Sequence, residues 1–176
     1  SSQSPSYISP LERVILLFSL SKVYSMSGWR LGFAVGPDKL IEKMGLLLQT
    51  IFSCLPPFLQ VGGIAALSGD QRFQLQMVDT LRKRRDTLIK GLNELSGVSC
   101  LAPDGAFYAF PNIMKSGMTS DEYSEKMLNE VGVCLLPGNC FGKYGDGYVR
   151  LSYANMTTEM IEEAVNKMKK FHQKYI

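Results

Sequence analysis

The sequence predicts an α/β layer leading into an α+β domain, and three observations predict it. Two short apolar runs, at 14–18 and at 32–36 ("GFAVG"), lack the apolar–polar alternation of a half-buried strand, so they read as strands covered by helices on both faces. Long helical patterns follow them in close succession. Beyond Gly97 the texture changes to short strands and short helices. The boundary is read at residue 70, which gives segments 1–70 and 71–176.

Each element has a local reason. Residues 1–10, "SSQSPSYISP", are polar with two prolines and read as a tail or linker. "VILLFSL" (14–20) resembles a short signal core, but it lacks a clustered basic leader and is followed by no small-residue cleavage site, so it is taken as a buried strand. Pro37 and Asp38 sit where helices start, opening "PDKLIEKMGLLLQTIF". "PPFLQVGGIAALSG" gives a second, very apolar helix ending near Gly69, and a third runs from about Gln71 to Leu95. "VSCLA", "AFYAFPNI", "VCLLP" and "YVRLSYA" read as strands. Thr119 and Thr157 each precede early carboxylates, the pattern of a capped helix N-terminus.

Composition narrows the function classes. A chain of 176 residues that is 45% hydrophobic can bury a real core. A net charge of +3 is too balanced to carry nucleic-acid binding through phosphate neutralisation, and the one dense basic run, "LRKRRD" (81–86), reads as a solvated helix face. No run approaches the roughly 20 apolar residues of a membrane span. Four cysteines (Cys54, Cys100, Cys134, Cys140) form no CxxC pair, which makes a reducing, cytoplasmic setting the default. A single histidine, His172, excludes a multi-histidine metal site and is expected to be exposed on the last helix.

Chemistry concentrates in "SLSKVYSMSGWRLGF", 19–33. A lysine amine becomes a useful nucleophile through desolvation or imine formation. Lys22 follows a strand expected to be buried, with Tyr24, Met26 and Trp29 placed to hold off solvent. Ser19, Ser21, Ser25 and Ser27 supply hydroxyls, Gly28 permits a sharp turn, and Arg30 adds a cation able to grip a phosphate at two points. This kit suits an aldehyde cofactor with a phosphate handle, pyridoxal phosphate. A lysine among serines is by itself equally an ordinary surface residue.

The full string, S-x-S-K-x-x-x-M-S-G-W-R-L-G, closely resembles the pyridoxal-phosphate attachment motif of class I/II aminotransferases of fold type I. "PDGAFYAF" (103–110) resembles their small-domain glycine-aromatic strand, and "LLPGNCFGKYGDGYVRLSYA" (135–154) resembles their substrate-carboxylate segment. Three motifs in order cover essentially residues 11–176. The resemblance implies that 1–70 is the tail of a large cofactor-binding domain and 71–176 a small domain. It makes Lys22 the Schiff-base lysine and later proton shuttle, Ser19 and Arg30 ligands of the cofactor phosphate, and Arg150 the clamp on the amino acid α-carboxylate. For Arg150 the ordinary alternative is a strand arginine paired with a local acid such as Asp146; for Phe107 and Tyr108, near the site mouth by resemblance, it is core packing. Pro137 and Gly138 would shape the loop before Arg150, and Cys140 has no catalytic assignment.

The implied reaction moves an amino group between an L-amino acid, aspartate-like or of broad range, and a 2-keto acid, in a cytoplasmic homodimer with no metal. In that family the lysine lies well past the middle of the chain, whereas here it is residue 22. The sequence is therefore expected to be the C-terminal portion of such an enzyme and inactive alone, without the partner of the pyridine nitrogen, the stacking aromatic and the glycine-rich phosphate turn. A fold type I lyase or synthase, and a non-catalytic binding or assembly module, remain the alternatives.

Overall fold

The structure, a computed structural model, describes residues 13–176, so the prolines and serines of the first ten positions lie outside it. The chain divides into two compact units, one ending at Gln74 and the other spanning Leu75–Ile176.

In the first unit, β1 (Leu16–Ser19) pairs antiparallel with β2 (Gly32–Val35), Leu16 opposite Val35 and Ser19 opposite Gly32. Phe18 and Phe33 face each other in this register and their rings stack at 4.8 Å, a cross-strand pair that fixes it. The expectation of two covered faces fails here: every residue of β1 is exposed, Leu17 to 75%. An unbroken apolar run signals a strand that needs packing layers above and below. Among the described residues those layers are missing.

Between the strands the chain makes a short helix, α1 (Leu20–Val23), and a single 3₁₀ turn, Ser27–Trp29. Leu20, Met26 and Leu31 bury themselves together, backed by Tyr24, Leu55 and Ala66. Helices α2 (Asp38–Phe52) and α3 (Pro57–Ser68) follow, each entered through a proline, as the sequence predicts. Two adjacent glycines seat α3. A Cβ on Gly63 would lie 2.6 Å from the Leu31 side chain, and one on Gly62 would lie 2.5 Å from the Trp29 ring, so neither position tolerates alanine without movement.

The second unit holds the larger core. A three-stranded antiparallel sheet in the order β3 (Tyr108–Ala109), β5 (Val149–Ser152), β4 (Leu136–Pro137) is packed with α4 (Arg72–Asn93), α5 (Ser120–Val131) and α6 (Thr158–Tyr175) around Leu92, Ile113, Tyr123, Met127, Val149, Ile161 and Met168. Thr119 and Glu122 form a reciprocal capping box on α5, and Thr157 caps α6 through the Met160 N–H. The strand expected in "VSCLA" reduces to one bridge, Ser99 with Asn112. Prolines at 103, 111 and 137 remove the donors that longer ladders would need.

Two expectations are corrected here. The run at 81–86 is not simply a solvated face: Arg84 donates to the Ala154 carbonyl at 2.6 Å and Arg85 to the Pro103 carbonyl at 3.2 Å, both half-buried, while Arg82 pairs with Asp79 in the open. His172 is not exposed but buried, at 3%. It falls at the end of the Ile161, Val165, Met168, Phe171 stripe, where a helical period of 3.6 brings 171 and 172 both inward.

A carbonyl can only accept, so His172 Nδ1 carries the proton it donates to Ser96 at 2.8 Å, and Nε2 accepts from the Tyr123 hydroxyl at 2.6 Å. Burial pushes the imidazole below its ordinary range against the opposing pull of the Ser96 carbonyl, and pushes the Tyr123 phenol up. The unfolded chain therefore binds the histidine proton more readily than the folded one. The stabilisation from neutral His172 is complete above the unfolded value of about 6.5 and is lost as pH falls below it. The thermal unfolding midpoint of the wild-type protein should fall more steeply between pH 7 and 5 than that of His172→Gln; parallel curves would show that His172 does not titrate on unfolding.

Candidate functional site

The candidate residues fall in two places, one in each unit. In the first, Ser19, Lys22 and Arg30 all lie on the excursion that leaves β1 at Ser19 and rejoins the sheet at Gly32. The excursion is closed at its base by the Leu20 N–H donating to the Leu31 carbonyl at 3.1 Å. Ser19 caps α1: its Oγ accepts from the Ser21 N–H at 3.2 Å, which leaves the hydroxyl proton to donate elsewhere. Lys22 sits in the third position of α1, exposed. Arg30 occupies the left-handed region at φ 51°, directly after the 3₁₀ turn, and its Nη1 donates to the Ser27 carbonyl at 2.8 Å. That bond orients the guanidinium, and its other N–H groups have no hydrogen-bond partner among the described residues.

The shielding expected of Tyr24, Met26 and Trp29 is not what these residues do. Met26 is buried with Leu20 and Leu31, Tyr24 donates its hydroxyl to Gln71 at 3.0 Å, and Trp29 packs on Gly62. They hold the loop to α3 rather than cover the amine. An amine, a hydroxyl donor and a planar cation on one tied loop are nonetheless the donor set that an aldehyde bearing a phosphate requires. The residues fit pyridoxal phosphate.

In the second unit, Arg150 lies on β5 between buried Val149 and Leu151, so strand alternation turns it to the outer face of the sheet. It does not pair with Asp146. That carboxylate accepts from the backbone N–H groups of Ser120 at 3.2 Å and Gly147 at 3.0 Å, which hold it below the usual carboxylate range. Among the described residues no acid stands within ion-pair distance of Arg150. Its guanidinium carbon instead lies 4.5 Å from the ring centre of Tyr108 and 4.4 Å from that of Phe141.

Phe107 packs against the core and Tyr108 against Arg150, while their own rings meet tilted at 4.8 Å. Phe141 escaped sequence reasoning altogether. It stands in a 3₁₀ turn (Gly138–Phe141) and no spacing rule ties it to residue 150. The turn is set by Gly138 and Gly145, whose backbones touch so closely that a Cβ on either would strike the other's carbonyl, and Asn139 anchors it to Asp121 at 2.5 Å. Phe110 meets the Phe141 ring edge-on at 6.1 Å and stacks on Tyr148 at 5.3 Å. Period-two spacing of Tyr108 and Phe110 was the available signal for this face.

Comparison with known proteins gives a consistent result. Residues 4–168 match the family model for aminotransferase class I and II. The chain is 39% identical over 161 residues to an aspartate aminotransferase of Pyrococcus horikoshii, and 40% identical over 161 residues to aromatic-amino-acid aminotransferase 2 of Thermococcus litoralis. Each alignment takes in 90% of this chain and 41% of the relative, so the chain spans about two fifths of the length of those proteins. The crystal structure of an aromatic aminotransferase from Pyrococcus horikoshii superposes with a TM-score of 0.86 at 38% identity, over 92% of this chain and 43% of that one. The aspartate aminotransferase of Rhizobium meliloti superposes with a TM-score of 0.83 at 30% identity, over 90% and 42%.

Proposed function

The chain belongs to the class I and II aminotransferase family, and from that premise we propose that it is the lysine-bearing part of a pyridoxal-phosphate-dependent aminotransferase. The complete enzyme moves an amino group between an L-amino acid, aspartate-like or of broad range, and a 2-keto acid. The observation that carries this reading is Arg150, a half-buried guanidinium held by rings and paired with no acid among the described residues. Such a cation is suited to a ligand carboxylate. Transfer is favoured over lyase or synthase chemistry, and over a binding module, because the relatives named above are aminotransferases.

Pyridoxal phosphate, when bound, supplies the electron sink that makes a substrate Cα–H bond acidic. Ser19 and Arg30 would hold its phosphate, the arginine through a permanent charge and N–H donors. The Lys22 amine would be the group that holds the cofactor aldehyde and the base that moves the Cα proton. Arg150 would hold the α-carboxylate of the substrate. The chain alone, spanning two fifths of its relatives, is inactive; the complete enzyme is a cytoplasmic homodimer. No helix among the described residues is long and apolar enough to cross a membrane.

The test uses the complete enzyme with pyridoxal phosphate, a panel of L-amino acids and a 2-keto acid acceptor. One new amino acid should form for each keto acid released. Ammonia release or elimination that needs no acceptor would overturn transfer in favour of a lyase. Arg30→Ala should raise the cofactor concentration for half-maximal activity about tenfold to a hundredfold, with excess cofactor restoring most of the rate. An unchanged cofactor requirement would remove Arg30 from the phosphate site.

A further inference from the structure

An arginine that receives a ligand carboxylate has two conflicting needs. It must be held, because a long side chain left to wander loses entropy when it binds. It must also stay unpaired, because an acidic neighbour would occupy the N–H groups the ligand requires. We propose that Tyr108 and Phe141 resolve this conflict as positioning residues: their ring faces fix the guanidinium of Arg150 while consuming none of its donors. The proposal rests on Arg150 being the carboxylate-binding residue.

The geometry supports it at each step. Both rings lie within cation–π range, at 4.5 and 4.4 Å. They come from different parts of the second unit, Tyr108 from β3 and Phe141 from the turn after β4, so they hold the guanidinium from two independent supports. Each support is itself braced. Tyr108 is in register with Ser152, two residues along β5 from Arg150, which places it diagonally beside the arginine on the same face. Phe141 is braced by the edge of Phe110, which stacks on Tyr148, and by the glycine contact and the Asn139–Asp121 bond that set its turn. The nearest acid in sequence, Asp146, is turned to the start of α5 by two backbone donors and so does not compete.

The experiment uses the complete holoenzyme and its best amino acid substrate, with butanoate as a competitive carboxylate probe and butylamine as the uncarboxylated control. Phe141→Leu and Tyr108→Leu should each raise KM and the butanoate inhibition constant about threefold to thirtyfold. The value of kcat should stay within twofold, and the slow reaction of butylamine should not change. Phe141→Tyr and Tyr108→Phe, which keep a ring, should restore most of the affinity. The two leucine variants read one clamp from separate supports, so a folding failure at one leaves the other decisive. Leucine variants with unchanged KM and inhibition constant, or with equal losses for butylamine, would overturn the clamp. Arg150→Lys in the same assay separates the two readings: if it too leaves both constants unchanged, the carboxylate role of Arg150 has failed, whereas a large effect of Arg150→Lys beside silent leucine variants condemns the clamp alone.

Discussion

Lys22→Ala in the complete enzyme should abolish covalent retention of pyridoxal phosphate and lower turnover by about a thousandfold or more, because in the proposed function one amine both attaches the cofactor and carries the Cα proton. Loss of either role alone would be severe, and alanine removes both. Borohydride treatment followed by mass measurement of the chain reads the first role directly, and single-turnover rates read the second. Lys22→Arg should rescue neither, since a guanidinium stays protonated and cannot act as nucleophile or base. A covalent adduct that survives in Lys22→Ala would mean that another lysine is the attachment point. Added methylamine offers a further check: a small free base should return part of the proton-transfer rate to the alanine variant but none of the covalent attachment.

Arg150→Ala should leave the cofactor bound and spectrally normal while kcat/KM for amino acids falls by about tenfold to several hundredfold. Two charge-assisted hydrogen bonds to a substrate carboxylate, as proposed, would account for a loss of that order. Arg150→Lys should recover part of it, since an ammonium restores the charge without the planar fork. Amines lacking a carboxylate should be nearly indifferent to either change. Equal damage to carboxylated and uncarboxylated substrates, or release of the cofactor, would mean that Arg150 supports the fold of its sheet instead.

What the sequence revealed depended on how local the determining physics is. Helix ends are local, and the caps at Thr119 and Thr157 and the prolines before α2 and α3 were legible residue by residue. The strands around Ser19 and Arg150 were legible as apolar runs, but their lengths were not, because prolines and partner register trimmed them. The candidate residues Ser19, Lys22, Arg30 and Arg150 were legible through three ordered motifs. Their surroundings were not. Whether Trp29 covers Lys22 or packs on Gly62, and whether Arg150 meets Asp146 or Phe141, is decided by segments distant in sequence. His172 shows the same limit. Its helix pattern placed it beside Phe171, yet the partners that make a buried imidazole tolerable, Tyr123 and the Ser96 carbonyl, lie 49 and 76 residues away.

That imidazole also turns α5 and α6 into a reporter of their own breathing. The Tyr123 hydroxyl proton is trapped between two buried rings whose Oη and Nε2 lie 2.6 Å apart, and can reach solvent only when the two helices part. Hydroxyl protons ordinarily exchange with water too fast to be seen, so a persistent Tyr123 signal would be a direct clock for that opening. Its lifetime measures a local event in the second unit, separate from the global unfolding followed by heat. A ligand that stiffens this unit should lengthen the lifetime even where no atom of the ligand comes near His172.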